Sequence, residues 1–463
     1  MTTVPTQKGN PLGYEKISHL LRKFAVPSIV GMLVSSLYNI VDQIFIGQGV
    51  GYLGNAATNV SFPLTTICLA IALLFGIGGA ANFSLELGRG NKDDAANCVG
   101  NVIWMALGSG ITYVILIKLF LSHMLHAFGA TETILPYAMT YAGITAFGMP
   151  FLIFSNSFSA LIRADGSPKY SMSCMVIGAV INTILDPLFI FVFDMGIAGA
   201  AWATVISQVV SFLIALRYLR RFKSVALKKE HFRFQPQKAL HTASLGLSNS
   251  LNQVCICLIQ IVLNNSLTYY GAQSIYGTDI PLSGAGIVMK VNSILIGVFV
   301  GLSQGSQPIL GYNYGAEQFD RVKETYKLAI KCSFVISTLG FIMFQFFPAT
   351  LISLFGSAND ALYMEFAVKF MRTYLFMVII NGVQQISSNF FSALGMPMKG
   401  ILLSLSRQTF FLIPLMLILP LFMGIEGLMV SAPAADAMAC ALSIFMVRKE
   451  FRKMDALERD TRF

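Results

Sequence analysis

The stretch RYLRRFKSVALKKEHFRFQPQK (217–238) separates two long apolar halves of the chain. It contains eight Lys and Arg residues, and six apolar segments lie on each side of it. Of the 463 residues, 55% are hydrophobic and only 12% are charged, whereas soluble domains contain about 25% charged residues. This composition excludes a soluble globular protein and indicates a chain that crosses a lipid bilayer many times.

The apolar segments are long enough to cross about 30 Å of hydrocarbon as helices. Lys and Arg residues are concentrated in every second connection between these segments. Of the 32, 27 lie in the two termini and the even-numbered connections. Because such connections stay in the cytoplasm, we predict a multi-pass protein of the cytoplasmic (inner) membrane with both termini cytoplasmic. The predicted spans lie near 24–47, 59–84, 98–121, 134–160, 170–193, 197–219, 240–270, 282–309, 325–348, 362–391, 399–421 and 425–447.

The two halves of the chain repeat one another. Residues 126–168 and 353–397 share an F-G turn, a long span, the tripeptide S-A-L and a G-x-P turn. Because each half has an even number of spans, both halves enter from the same side and are related by an axis along the membrane normal. We therefore predict an all-α membrane protein of twelve transmembrane helices in two pseudo-symmetric six-helix bundles. The predicted parts are an amino-terminal tail (1–23), an N-lobe (24–220), a basic linker (221–239), a C-lobe (240–447) and a carboxyl-terminal tail (448–463).

Two such lobes around a central cleft are typical of a transporter that alternates between two open states. A gene duplication in a channel or a receptor would produce the same repeat. The sequence favours the transporter.

Acidic residues within the spans are few, and two of them lie at similar depth. Counted at about 1.5 Å per residue from the basic flanks, Asp42 and Asp186 reach the outer half of the bilayer, and so does Thr204. Asn182 and Asp186 are spaced i, i+4, which places them on one helix face. Pro187 has no backbone N–H and therefore frees a carbonyl one turn earlier.

If the N-lobe brings these groups together, two carboxylates, an amide and a hydroxyl form one oxygen-rich site. Hard oxygen ligands suit a small cation such as sodium, and two neighbouring carboxylates would also hold a proton. The alternative is that Asp42 and Asp186 only pair with neighbouring helices to maintain packing.

The order and spacing of six motifs resemble the multidrug and toxic compound extrusion (MATE) family, and its MepA-like bacterial members in particular. The resemblance covers about residues 20 to 450. It implies a MATE-like fold and a secondary active multidrug efflux antiporter that exports amphipathic or cationic compounds in exchange for inward H⁺ or Na⁺. It also carries cation-site roles onto Asp42, Asn182, Asp186 and Thr204. The motifs are VPSIVGMLVSSLYNIVDQIFIG (26–47), LGRGNKDDA (87–95), ALIRADGSPKYSM (160–172), INTILDPLFIF (181–191), GLSQGSQPILGYNYGAEQFDRV (301–322) and NFFSALGMPMKG (389–400).

The second half differs from the first at the equivalent positions. Repeat alignment sets Pro414 and Ala432 where Asp186 and Thr204 stand, so the coupling site is predicted in the N-lobe alone. Two cations within C-lobe spans, Lys290 and Arg407, could pair with an acid such as Asp436, and the sequence leaves their orientation open.

Polar residues and flexible thioethers within the spans are candidates for the wall of a substrate cleft that repacks around different molecules. The candidates are Ser35, Tyr38, Asn39, Gln208, Gln253, Met289, Gln304, Gln307, Gln384 and Asp436.

Other classes of function find little support. No phosphate-binding G-x-x-x-x-G-K-[ST] loop and no clustered catalytic constellation occur, so we expect a transporter rather than an enzyme, with no cofactor besides the coupling ion. The net charge of +10 reflects the basic connections rather than nucleic-acid binding, and a monomer in the bilayer is expected. Two alternatives remain: a flippase for a lipid-linked saccharide, which needs a more basic cleft, and an exporter of one endogenous metabolite.

Overall fold

The described residues of the protein, 10–353 and 361–460 of a computed structural model, form helices and contain no β-strand. Residues 1–9 and 461–463 of the predicted tails lie outside these ranges. The helices are α1 (Ile17–Gly49), α2 (Tyr52–Gly88), α3 (Lys92–Ala127), α4 (Leu135–Ala164), α5 (Pro168–Pro187), α6 (Gly196–Arg217), α7 (Pro236–Ala272), α8 (Asp279–Gly315), α9 (Phe319–Phe346), α10 (Pro348–Ser353), α11 (Ala361–Tyr374), α12 (Val378–Ala393), α13 (Pro397–Leu405), α14 (Ile413–Met423) and α15 (Ile425–Asp460).

Eleven helical segments of the described chain are long and apolar enough to cross a membrane. The helices α11 and α12 are bent by 51° at a short break and together supply a twelfth span. The all-α class and the twelve spans are therefore confirmed. Some predicted boundaries differ, because α1 already begins at Ile17, α7 begins at Pro236 within the predicted linker, and α15 continues to Asp460.

The repeated G-x-P sequences form equivalent turns in the two halves. Gly166 and Gly395 have φ angles of 84° and 77°, a conformation that glycine adopts without steric cost at the end of a helix. Two residues later Pro168 and Pro397 begin α5 and α13, where a missing N–H costs nothing. The same local chemistry thus reverses the chain twice.

Each half has its own hydrophobic core. Phe154 and Phe158 are fully buried among α2–α6, and Phe366 and Phe370 are fully buried in a second core formed by helices that follow residue 258. Each of these two cores takes its buried residues from one half of the sequence, and we call the helical units around them the N-lobe and the C-lobe.

The connection between α6 and α7 is held by one buried carboxylate. Asp165, at the end of α4, accepts hydrogen bonds from Tyr218 Oη (2.7 Å), the Lys223 amide (2.8 Å) and the Ser224 amide (2.9 Å). Burial raises the pKa of the Asp165 carboxyl, and the three hydrogen bonds oppose this shift. The start of the linker is therefore fixed to the N-lobe.

Both described ends of the chain lie at one end of the bundle, together with the Lys- and Arg-rich connections; we call it the basic end and its opposite the far end. Asn313 Nδ2 donates to the Leu12 carbonyl (3.0 Å) just before α1. Lys323 Nζ bonds Asp455 Oδ1 (2.7 Å) near the end of α15. An even number of spans explains this arrangement.

The two lobes touch through glycines near the basic end. A Cβ at Gly305 of α8 would lie 2.5 Å from Ala25 Cα of α1, and a Cβ at Gly246 of α7 would lie 1.9 Å from the Leu74 carbonyl oxygen of α2. Only glycine lets backbones approach this closely. The lobes are thus closed against each other at the basic end.

Toward the far end the helices that line the lobe boundary are open. A Cβ at Gly286 of α8 would meet nothing within 4 Å. On the two facing helices, Asn39 of α1 and Ser293 of α8 are exposed polar residues, which border open space more readily than lipid. The lobes therefore enclose a cleft that opens toward the far end.

Replacing Gly246 by Ala should separate the lobes at the basic end, because the new methyl group meets a backbone carbonyl that cannot rotate away. We expect a loss of about 1–3 kcal/mol of stability, the usual cost of overpacking, seen as a lower unfolding temperature in detergent. Gly108→Ala in α3 is the control, since a Cβ there meets nothing within 4 Å. Equal unfolding temperatures for the two variants would contradict this account of the closure.

Candidate functional site

Two carboxylates from different helices meet inside the N-lobe. Asp42 of α1 is 8% exposed and Asp186 of α5 is fully buried. Their carboxyl groups are close enough to share a hydrogen bond. The two acids that sequence reasoning placed at one depth are therefore neighbours, and they do not face lipid on opposite sides.

An amide and a hydroxyl complete this cluster. Asn182 lies one helical turn before Asp186 and donates from Nδ2 to its Oδ1 (3.3 Å). The same nitrogen lies 3.5 Å from Thr204 Oγ1 of α6, and the Thr204 hydroxyl donates to the Ala200 carbonyl (3.0 Å). Three helices thus bring together the four predicted residues, which we call the oxygen cluster.

Three oxygen atoms of the oxygen cluster are buried and have no hydrogen-bond partner among the described residues: Asp42 Oδ1, Asn182 Oδ1 and Asp186 Oδ2. A buried acceptor without a partner costs about 1–3 kcal/mol, and more when it is charged. The three acceptors belong to neighbouring residues, since Asn182 contacts Asp186 and Asp186 interacts with Asp42, so the surroundings favour a positive group. The donor set, which consists only of oxygens, fits a hard cation such as sodium or a proton shared by the two carboxyl groups.

Two tyrosines lie beside the carboxylates. Tyr38 of α1 and Tyr141 of α4 both interact electrostatically with Asp42 and Asp186. Sequence reasoning assigned Tyr38 to the cleft, one turn from Asp42, and missed Tyr141. An uncharged aromatic residue within an apolar span gives no sequence signal for a site on another helix.

The helix geometry changes directly after the oxygen cluster. The segment Leu188–Val192 is a π-helix that follows Pro187. A proline removes one backbone donor, and π-helical turns often occur at functional sites. The wider turn lies beside Asp186, as the proline in this position suggested.

Several cleft candidates lie in other surroundings. In this conformation Gln304, Gln307 and Gln384 are buried, and each bonds another helix rather than lining an open wall. Gln304 Oε1 accepts from Arg163 Nη2 (3.0 Å), Gln307 Nε2 donates to the Ile77 carbonyl (2.9 Å), and Gln384 Nε2 donates to the Leu403 carbonyl (2.9 Å). The expectation that all three line the cleft does not hold here, because polar side chains also join helices.

Arg163, the partner of Gln304, was also expected in a different environment. Because Arg163 lies at the end of a predicted span, the sequence indicated a charged residue in a connection. In the structure Arg163 is only 4% exposed. Its bond to Gln304 crosses from the N-lobe to the C-lobe at the basic end.

The remaining candidates lie on helices of both lobes. Ser35 and Asn39 lie on α1, where Asn39 Nδ2 donates to the Ser35 carbonyl (2.8 Å); Asn39 is exposed, and Gln253 and Met289 are half-buried. Gln208 is packed inside the N-lobe, since its Oε1 lies 2.0 Å from where a Cβ on Gly148 would be. Gln208 is itself half-buried, so these residues remain candidates for the cleft wall.

Asp436 forms an ion pair inside the C-lobe. Arg407 Nε lies 2.6 Å from Asp436 Oδ1, and the Asp436 side chain is 5% exposed. Arg407 belongs to a π-helical segment, Ser406–Leu412, in the span that corresponds to α5. In this conformation Asp436 therefore pairs with a fixed cation and is buried rather than exposed to the cleft.

A bundle of two six-span lobes, closed at one end and open at the other, with an unsatisfied oxygen cluster in one lobe, defines a membrane transporter. The family profile described as MatE matches residues 27–188 and 249–418. The chain belongs to this family, whose members are transporters and not enzymes. The resemblance seen in the motifs is confirmed.

Characterised relatives extend over nearly the whole chain. The multidrug export protein MepA of Staphylococcus saprophyticus is 25% identical over 429 residues, 92% of each chain. The FAD transporter of Shewanella oneidensis is 25% identical over 459 residues, 96% of this chain and 97% of its own. The solved structure of a MOP superfamily transporter from Pyrococcus furiosus has the same fold, with a TM-score of 0.90 at 22% identity over 98% of this chain and 100% of that chain.

Replacing Arg407 by Met should destabilise the C-lobe, because Asp436 would remain buried without its cation. Removing one partner of a buried ion pair costs about 3–5 kcal/mol, which thermal unfolding in detergent would detect. The double variant Arg407→Met/Asp436→Leu should recover most of this loss, since both charges are gone. A single variant as stable as the unmodified protein would show that the pair is not buried as described.

Proposed function

We propose that this protein is a secondary active antiporter that exports amphipathic or cationic compounds in exchange for an inward H⁺ or Na⁺. The observation that carries the proposal is the oxygen cluster, where Asp42, Asn182 and Asp186 present three buried acceptors without partners. Relatives named as multidrug export proteins support the export of drug-like compounds. The cation would be held by these residues together with Thr204.

Coupling follows from the position of Asp42 on α1. The same helix supplies Ala25, which packs against Gly305 of the C-lobe, and Pro27 lies within the helix between these contacts and the acid. A proline removes a backbone hydrogen bond and weakens the helix at that point. Neutralising Asp42 and Asp186 removes their mutual repulsion, moves the far half of α1 against α5, and so changes how the lobes close.

The membrane orientation follows from the charge distribution. We propose that the basic end faces the cytoplasm, since Lys and Arg residues accumulate on that side, and that the protein works as a monomer in the cytoplasmic membrane. The cleft described above would then open to the outside. Each net positive charge that moves inward through 100 mV supplies roughly 2.3 kcal/mol, which is enough for about 50-fold accumulation of one exported molecule without charge. Exchange of one monovalent ion for one monovalent cationic substrate moves no net charge, so that exchange is driven by the concentration gradient of the ion alone.

The export of one endogenous metabolite is the second candidate, because the FAD transporter of Shewanella oneidensis matches over almost the full length. A flippase for a lipid-linked saccharide has less support. A flippase of this kind needs a basic cleft. Of the two cations within the C-lobe spans, Lys290 and Arg407, the second is already paired with Asp436.

Replacing Asp42 or Asp186 by Asn should lower ethidium export at least tenfold, because an amide keeps the shape of the side chain but cannot take up a proton or balance a cation. Export is measured as dye uptake into everted membrane vesicles. Glu132→Gln, which removes an exposed carboxylate from the α3–α4 connection, is the matched control. Full export by Asp42→Asn at equal protein levels would refute the role of the oxygen cluster.

Imposing Na⁺ and H⁺ gradients separately on the same vesicles identifies the coupling ion. A gradient that drives the coupling ion out of the vesicle lumen should drive dye into it, and the other gradient should not. If Na⁺ is the ion, Thr204→Val should raise the Na⁺ concentration for half-maximal export about tenfold, because one oxygen ligand is lost. If H⁺ is the ion, this variant should keep the pH dependence. Dye uptake that responds to neither gradient contradicts antiport.

A further inference from the structure

One face of α8 is a stripe of small and polar residues. Its members recur every three or four residues, which places them on the same side of the helix. Large apolar residues, which lipid-facing positions in a membrane helix favour, are absent from this face. We call it the α8 stripe; it consists of Ser283, Gly286, Lys290, Ser293 and Gly297, and it continues toward the basic end as Gly301 and Gly305.

Contacts at its basic-end half show that the α8 stripe faces α1. A Cβ at Gly301 would lie 2.6 Å from Ile29 Cα, and a Cβ at Gly297 would lie 3.4 Å from Ser36 Oγ and 3.9 Å from Met32 Cβ. Each step of one turn along α8 corresponds to a step of one turn along the antiparallel α1. The stripe is therefore the side of α8 that meets the N-lobe.

The same register locates Lys290. It lies two turns beyond Gly297 toward the far end, on the same side of α8. Two turns from Ser36 along α1 lead to the height of Asp42. One turn further along the stripe, a Cβ at Gly286 would meet nothing within 4 Å, so the stripe here borders open space. Lys290 thus lies on the cleft wall opposite α1, and it is exposed.

The ammonium group of Lys290 has no ion-pair partner within residues 10–353 and 361–460. Other cations in or near the spans are engaged: Arg407 pairs with Asp436, Lys369 pairs with Glu426, and Lys118 donates to the Gly143 carbonyl (2.6 Å). A cation at membrane depth normally has a partner or a function. An unpaired ammonium that faces the cleft can supply its charge to a molecule that enters.

We propose that Lys290 is an anion-accepting subsite of the cleft, which binds a carboxylate or phosphate group of an otherwise apolar or aromatic substrate. The inference rests on the proposed export function and narrows its substrate class to include zwitterionic and anionic amphiphiles. An apolar contact is available beside it, since Met289, the preceding residue of α8, is half-buried. The charge orients the anionic group, and the flexible thioether of Met289 adapts to the body of the molecule.

A pair of dyes that differ at one group tests the subsite. Rhodamine B carries a free carboxylate, and its ethyl ester has the same ring system without that negative charge. We expect Lys290→Gln to raise the KM for rhodamine B about tenfold relative to the KM for the ester, with kcat for the ester unchanged. Lys290→Arg should stay within about threefold of the unmodified ratio, because it keeps the charge.

The control variant is Lys118→Gln, which removes a lysine of α3 that bonds Gly143 and lies over the Phe147 ring. It should leave the ratio of the two KM values unchanged. A second pair, riboflavin and its monophosphate, distinguishes the source of the anionic group. A change in selectivity confined to the rhodamine pair assigns a carboxylate subsite, and one confined to the flavin pair assigns a phosphate subsite.

An equal effect of Lys290→Gln on charged and uncharged partners of both pairs would overturn the proposal, as would a loss in Lys290→Arg as large as in Lys290→Gln. Either result leaves the export function intact if the rhodamine ester is still exported and this export still depends on Asp42. If the ester itself is not exported, the proposed function fails instead.

Discussion

A carboxylate inside hydrocarbon needs a positive partner, and the rest of this structure depends on how the two lobes meet that requirement. In the C-lobe Arg407 neutralises Asp436 at 2.6 Å. In the N-lobe Asp42 and Asp186 are neighbours, and each keeps a buried oxygen without a partner among the described residues. The positive charge is thus built into one lobe, and under the proposed function it is supplied to the other lobe from solution.

This difference makes the lobes unequal in function although they are related by a repeat. The G-x-P turns at Gly166 and Gly395 are equivalent, and a π-helical segment occurs in both matching spans. At the positions of Asp186 and Thr204, however, the C-lobe has Pro414 and Ala432. Under the proposed function, the C-lobe with its covalently attached cation keeps one arrangement, whereas the N-lobe with an exchangeable cation has two and responds to the ion gradient.

The class of fold was readable from the sequence because hydrophobic length and charge alternation are averages over many residues. The neighbourhood of Asp42 and Asp186 was also predictable, since few acids occur in the spans and helix rise gives their depth. The rotation of each helix about its own axis, which decides the side chains that face the cleft, was not predictable. Gln304 and Gln307 therefore appeared as cleft residues although they join helices, and Tyr141 was missed because an aromatic residue in an apolar span carries no mark of its neighbours.

The α8 stripe shows how one helix face can serve both closure and recognition. Near the basic end its glycines bring α8 against Ala25 and Ile29 of α1, and toward the far end the same face carries Lys290 beside open space. Because α1 also carries Asp42, a movement of α1 that follows neutralisation of the acid changes the distance between the two helices along this face. Substrate held at Lys290 and cation held at Asp42 would therefore act on the same helix pair, which links their binding without any longer path through the protein.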